Sequence, residues 1–237
     1  MESPTNPFLV ALRLVLGLDP GLVEIVSLSL TVSLAAVGLA AFVGLPLGAA
    51  VGLGRFPGRH LVVVLLNAFM GLPPVVVGLV VYLMLSRAGP LGELGLLFTP
   101  TAMVIAQTLL VLPIIAALTR QTVEDLWREY AEQLTSLNVT RWRAVGTLLW
   151  DGRFSLLTVL LAGFGRAAAE VGAVMIVGGN ILGHTRTMTT AIALETSRGD
   201  LPLALGLGLV LLALITLVSG AAYGVGELAR RHAGGAR

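Results

Sequence analysis

Five stretches of this sequence, 25–53, 61–85, 102–118, 154–177 and 201–223, stay apolar over lengths that water does not tolerate. A helix needs about 20 apolar residues to cross a hydrocarbon core about 30 Å thick. Lipid offers backbone N–H and C=O groups no partner, so each stretch must satisfy its own, as a helix does. The expected fold class is therefore all-α: a polytopic membrane protein of about five kinked transmembrane helices. Composition agrees, at 56% hydrophobic and 12% charged residues with a mean hydropathy of +0.93, against roughly a quarter charged in soluble domains. One transmembrane domain is expected over 1–237, with its core at about 25–223.

Ahead of the first span, Phe8, Leu9, Leu12, Val15 and Leu16 recur at helical spacing with Arg13 opposite. This reads as a short interfacial helix ending near Asp19 and Pro20, too short to cross. Glu2 comes first and Arg13 interrupts the apolar run, so no cleaved signal peptide is expected.

Several chemistries are excluded by what is missing. Cysteine is absent and His60, His184 and His232 are scattered, so no metal site is expected. All 15 basic residues are arginine. A chain without lysine has no Walker A phosphate loop, so any ATP-driven cycle needs another polypeptide. No cofactor is expected on this chain, and ATP with Mg belongs on a partner ATPase.

The arginines also orient the chain. Arg55, Arg59, Arg120, Arg128, Arg141, Arg143, Arg153, Arg230, Arg231 and Arg237 fall on one side of the five spans; Arg13, Arg87, Arg186 and Arg198 fall on the other, and Arg166 lies within a span. The positive-inside rule then expects an external N-terminus and a cytoplasmic C-terminus in the cell (inner) membrane.

Within the spans, Pro46, the pair Pro73 and Pro74, and Pro113 each remove a backbone donor, which kinks helices. Gly44, Gly48 and Gly52 repeat every four residues and leave one smooth face for close helix approach. Arg166 and Glu170 sit four apart midway along the fourth span, where an unpaired charge costs about 2.5 to 3.5 kcal/mol. They are expected to form a buried pair beside the pathway, with direct substrate contact by Arg166 as the alternative. Farther on, Gly178, Gly179 and Asn180 precede Thr185, Arg186, Thr187, Thr189 and Thr190. Hydroxyls, backbone amides and a guanidinium suit a tetrahedral oxyanion, and the same residues equally suit an ordinary helix cap.

Between the third and fourth spans lies a polar island, 120–153, holding ten of the charged side chains. In it, Val123, Leu126, Trp127, Tyr130, Leu134 and Leu137 recur at three- and four-residue intervals, the mark of an amphipathic helix. Asn138 tolerates the left-handed conformation and should turn the chain, and Thr140 can cap a second helix that aligns Trp142, Val145, Leu148 and Leu149. Glu124, Asp125, Glu129 and Glu132 put acid on the first helix, so this helix-turn-helix is not read as binding nucleic acid.

With these residues in place, the chain resembles the transmembrane subunit of a binding-protein-dependent ABC importer. That family's cytoplasmic loop carries Glu-Ala-Ala, three residues, then Gly. Here Glu132 stands for the glutamate, Gln133 and Leu134 replace the alanines, Asn138 replaces the glycine, and Leu148 to Asp151 replace the closing Leu-Pro-like element. The run from Gly163 through Arg166, Glu170 and Gly172, on through Asn180 to Thr189, Thr190 and Ile192, resembles the tungstate and molybdate branch, tungstate more closely. The resemblance implies a homodimer, two cytoplasmic ABC ATPase subunits and an extracytoplasmic oxyanion-binding protein. It also implies coupling to the ATPase through Glu132, Gln133, Leu134, Leu137, Asn138 and Arg141, and a pathway region holding Arg166, Glu170, Asn180, Thr187, Thr189 and Thr190.

Two other classes compete. An intramembrane hydrolase could use Ser219, but the three histidines fall in expected loops or the tail. A membrane subunit that only docks a cytoplasmic partner would also use the island. Molybdate or sulfate remain alternatives to tungstate.

Overall fold

The structure is a computed structural model that describes residue 17 and residues 20–234, with side chains through residue 224. The expected interfacial helix over residues 8–18 lies outside this range apart from Gly17. Most of the described chain is helical, and no strand occurs among the described residues.

Helix α1 runs Pro20–Leu53 around an internal Pro46. α2 (Arg59–Met70) and α3 (Pro74–Leu85) meet at a 100° bend. After a 3-10 turn at Gly92–Leu94 comes α4, Pro100–Ser136, with Pro113 inside it. α5 (Arg141–Asp151) and α6 (Arg153–Ala168) form a second bent pair, at 74°. The short α7 (Gly172–Gly178), then α8 (Met188–Arg198) and α9 (Leu201–Gly234), complete the described chain. Among the described residues, three helices are long and apolar enough to cross a membrane alone, and up to five spans result when each bent pair counts as one. Five spans therefore hold as a number, though not with the expected limits.

Three boundaries are corrected. The third span does not end near Leu118: α4 continues through Ser136, so the first island helix is the end of a span. No breaker stands at the junction; Leu118 to Thr122 keep the ladder, and at about 1.5 Å per residue α4 is about 55 Å long. Pro73 and Pro74 do not kink a helix from within. Pro73 is extended (φ −65°, ψ 120°) and Pro74 opens α3, where a missing N–H costs nothing. The fourth span is not continuous to Val177, because α6 stops at Ala168. Glu170 donates its backbone N–H to Ala167 O (3.1 Å) and its carboxylate accepts the Ala173 N–H (3.0 Å), so it starts a new helix.

The contacts divide the chain into two compact units whose segments alternate along the sequence. The first comprises the described parts of Met1–Ala36, with Pro73–Gln107 and Ala167–Val218; the second comprises Val37–Leu72, Thr108–Arg166 and the described part of Ser219–Arg237.

Inside the first unit α3 packs along α7. Gly78 permits the approach, since a Cβ there would lie 2.7 Å from Ala173 Cα. A further core joins Leu22, Met188, Ala191 and Leu207. The second unit is held by the expected glycine face. A Cβ at Gly48 would lie 2.4 Å from Ala116 O, and one at Gly44 3.0 Å from the Ile115 side chain, so α1 lies backbone to backbone on α4. Ala49, Leu53, Val123, Ala144 and Leu148 then form a core joining α1, α4 and α5.

Candidate functional sites

In the second unit, the end of α4 turns as anticipated. Asn138 adopts φ 58°. Val139 N–H donates to Leu134 O (2.9 Å) and Asn138 N–H to Thr135 O (2.9 Å), the paired bonds of a Schellman stop with asparagine where glycine is usual. Thr140 holds the N-cap position of α5 in extended geometry, but its side chain makes no capping bond. Its carbonyl accepts the Ala144 N–H instead (3.0 Å).

This turn presents apolar surface outward. Leu137 is 73% exposed, with Trp142 and Trp150 also exposed. Beside it a cleft of about 330 Å³ is lined by Tyr130, Gln133, Leu134, Leu137, Leu148 and Trp150, among others. Of the residues assigned to coupling, Glu132, Gln133, Leu137 and Asn138 are exposed, while Leu134 is half-buried against the α1/α4/α5 core. Arg141 is turned away from them: it donates to Leu53 O (3.3 Å) and stacks on Trp127, 4.9 Å from the ring centroid. It anchors the end of α1 rather than the exposed turn.

Arg141 belongs to a charged centre that the sequence did not announce. Glu124 accepts Arg120 Nη1 (2.8 Å) and pairs with Arg59. Arg59 also donates to Val51 O (2.9 Å) and Gly52 O (3.4 Å). Partial burial, then repulsion from Arg55 and Arg59, holds the Arg141 guanidinium below its ordinary value. The Arg120 to Glu124 spacing could have suggested part of this, but Arg59 stands 65 residues from Glu124.

The first unit gathers the polar run that follows α7. Thr187 is the N-cap of α8 and shares a full capping box with Thr190, whose hydroxyl accepts the Thr187 N–H (3.0 Å). Thr189 donates to Glu170 O (2.7 Å), Asn180 Nδ2 donates to Thr190 O (3.4 Å), and Asn180 itself is left-handed (φ 51°). Met188 N–H donates to Ser29 Oγ (2.7 Å), tying α8 to α1. Glu170, Thr187, Thr189 and Thr190 are all buried. The structure thus brings Glu170, Asn180, Thr187, Thr189 and Thr190 together, with Thr187 and Thr190 serving as a helix cap and the Asn180 side-chain oxygen buried without a hydrogen-bond partner among the described residues.

Arg166 is half-buried in the last turn of α6, and Glu170 lies past that helix's end. Their four-residue spacing therefore does not set them on one continuous helix face. Sequence reasoning also missed two buried polar groups of the first unit. Gln107, 3% exposed, donates to Ala167 O (3.1 Å), and Glu195, 6% exposed, takes Arg198 (3.2 Å) and Arg186 (3.8 Å). Gln107 is one polar residue in an apolar stretch, which inside a membrane protein is itself a signal, whereas Glu195 stands beside Thr196, Ser197 and Arg198, where nothing local marks it out. Among the described residues, no group of His, Cys, Asp and Glu could hold a metal ion.

Known proteins place this architecture. The family model described as "binding-protein-dependent transport system inner membrane component" matches residues 44–228. The chain is 41% identical to the tungstate uptake system permease protein TupB of Peptoclostridium acidaminophilum, over 96% of this chain and 100% of that protein. It is 43% identical to a probable anion ABC transporter permease protein of Haloferax volcanii, over 82% and 86% of the two chains. It is also 39% identical to the TupB protein of Campylobacter jejuni, over 67% and 66%. Sulfate transport system permease proteins are more distant, at 31% identity for the Synechocystis protein. The long apolar helices, the bent pairs and the exposed turn after α4 are those of a multi-pass membrane permease: the chain belongs to the binding-protein-dependent inner membrane components of ABC importers.

Proposed function

We propose that this chain is the transmembrane subunit of an ATP-driven importer that moves a tetrahedral oxyanion, tungstate first among them, into the cell. The substrate class rests on the relatives, which are tungstate uptake and anion permeases at about 40% identity, with sulfate permeases farther away. A homodimer would enclose the pathway. Two ABC ATPase subunits on the cytoplasmic side would bind ATP with Mg, and an external binding protein would deliver the anion. The N-terminus lies outside and the C-terminus inside in this arrangement, in keeping with the arginine distribution.

The mechanism is carried by one observation: the exposed turn at Leu137 and Asn138 is the end of a single 37-residue helix whose apolar part is a membrane span. A displacement imposed on Glu132 to Asn138 by closure of the ATPase dimer need not pass through a flexible joint to reach the bilayer. A rigid helix with its tip seated in a partner is a lever, and two packings of the spans around it give inward- and outward-facing states. Exposed Leu137, Trp142 and Trp150 supply the apolar contact that such seating needs.

Replacing Glu132 with Arg and Leu134 with Trp together in the assembled transporter tests the lever. Membrane insertion should persist, while uptake falls at least about tenfold and ATP turnover stops responding to the loaded binding protein. Coupled transport at the normal rate removes the assignment. Cellular uptake of tungstate, challenged separately with molybdate and sulfate and read by metal analysis, tests the cargo. Equal competition by sulfate would replace tungstate with a broad oxyanion class.

A further inference from the structure

The charged centre of the second unit opens into a cleft of about 270 Å³ lined by Gly52, Gly54, Arg55, Arg59, Glu124, Trp127, Arg128 and Arg141. Four guanidiniums face one carboxylate across it. That carboxylate is already committed, since Glu124 serves Arg59 and Arg120 together. Arg128 reaches only the exposed Asp125, at 3.5 Å. Among the described residues, no carboxylate forms an ion pair with Arg55 or Arg141.

Two of the four guanidiniums are held in place before any ligand arrives, and Arg55 and Arg128 are exposed beside them. Arg59 is fixed by Val51 O and Gly52 O, and Arg141 by Leu53 O and the Trp127 ring. Side chains held in this way have lost their rotamer freedom before any ligand arrives, so little more is lost on binding. Burial first, and then the neighbouring charges of Arg55 and Arg59, disfavour the charged form of Arg141, as expected where like charges gather. An arginine fork matches a tetrahedral anion with paired N–H bonds, and the cleft holds several times the roughly 30 Å³ one water occupies in the liquid. Its lining shares no residue with the apolar cleft at Leu137, so it is not part of the docking surface described above.

We propose that this arginine cleft binds a phosphate group with net negative charge, carried either on an anionic lipid headgroup or free in solution. The lipid source fits its position, for the cleft opens where the apolar α1 ends at Leu53 and α2 begins at Arg59. Juxtamembrane arginines attract anionic headgroups at such a depth. The free source needs only the forks.

The test uses the full chain with Arg55→Gln and Arg141→Gln, and with Arg143→Gln as a charge-matched control on the exposed side of α5, outside the cleft. Arg55 is exposed, so its variant keeps the test valid should Arg141→Gln fail to fold. Native mass spectrometry would compare retained phosphatidylglycerol with phosphatidylcholine, and inorganic phosphate would be titrated in zwitterionic nanodiscs against melting temperature. For a lipid site, phosphatidylglycerol retention falls about tenfold in the two cleft variants and not in the control. For a free-anion site, the phosphate-induced stabilisation is lost in the same two and lipid retention is unchanged. If both cleft variants match Arg143→Gln in both measurements, the cleft is not an anion site.

Discussion

Each of the two units buries a polar centre, and the two are built from opposite chemistry. In the first, Ser29, Glu170, Asn180, Thr187, Thr189 and Thr190 are joined mostly by hydroxyl and amide bonds to backbone atoms. In the second, Arg59, Arg120 and Glu124 meet as ions, with Arg55 and Arg141 adding positive charge that Glu124 does not balance. A neutral bond contributes about 1 kcal/mol net, so the first centre is many small terms; removing one partner of a buried ion pair costs about 3 to 5 kcal/mol, so the second hangs on a few. The neutral network reads as architecture. The charged one retains the capacity to take a ligand or a load.

The sharpest way to break this contrast is to remove the support of the charged centre alone. Gly48 lets α1 rest on α4, and the carbonyls that hold Arg59 and Arg141 follow within the next turn and a half of α1. Gly48→Val must displace Ala116 and Thr119 backbone and side-chain atoms, at an expected cost of at least about 3 kcal/mol. Gly38→Ala on the same helix, where nothing lies within 4 Å, should instead be neutral or stabilise by up to about 1 kcal/mol. Hydrogen exchange read by mass spectrometry in detergent would locate the damage: protection should drop over 51–59 and 120–136 and persist at 187–197. Uniform loss across both regions would mean that the two centres are not energetically separate.

A milder cut goes through the shared acid. Glu124→Gln keeps volume and one acceptor but leaves Arg59 and Arg120 without an anion. Both guanidiniums retain some water, at 34% and 10% side-chain exposure, so the loss should be about 2 kcal/mol, below the fully buried range. The check is the shift in melting temperature together with its salt dependence. Wild-type protein should lose part of the difference at high salt, and a variant as stable as wild type at low salt would show that the ion pairs contribute little.

How far the sequence announced these centres follows from the range of the forces involved. Local rules were legible: Asn138 turned left-handed, Thr187 capped a helix, and the Gly44, Gly48 and Gly52 face found a partner. What stayed hidden was continuity and distance. The change from apolar to polar near Arg120 marks where the solvent changes, not where the helix ends, so α4 was divided in two by hydropathy alone. Conversely, 154–177 is apolar apart from a few residues, Arg166 and Glu170 among them, and long enough to read as one span, yet it breaks at Ala169 to Val171, where the buried Glu170 bonds forward to Ala173. The Arg59 to Glu124 pairing depends on two helices meeting 65 residues apart in sequence, for which periodicity carries no signal. The wider resemblance was legible because it rests on the order of long features, which survives such local errors.

The smallest expected effect separates a cap from a substrate contact in the neutral centre. Thr190→Val is nearly isosteric, keeps the methyl packing and deletes the hydroxyl that accepts the Thr187 N–H and closes the capping box of α8. Loss of that cap should cost about 1 kcal/mol. Thr190→Ser keeps the hydroxyl and should recover most of it. Because the Thr190 side chain is fully buried and its bonds are internal, the variant should lower melting temperature by a few degrees while the concentration of tungstate giving half-maximal uptake stays put. A large shift in that concentration, with melting unchanged, would move Thr190 from the scaffold into the pathway. It would also make the neutral centre, and not the arginine cleft, the part of the molecule that handles anions.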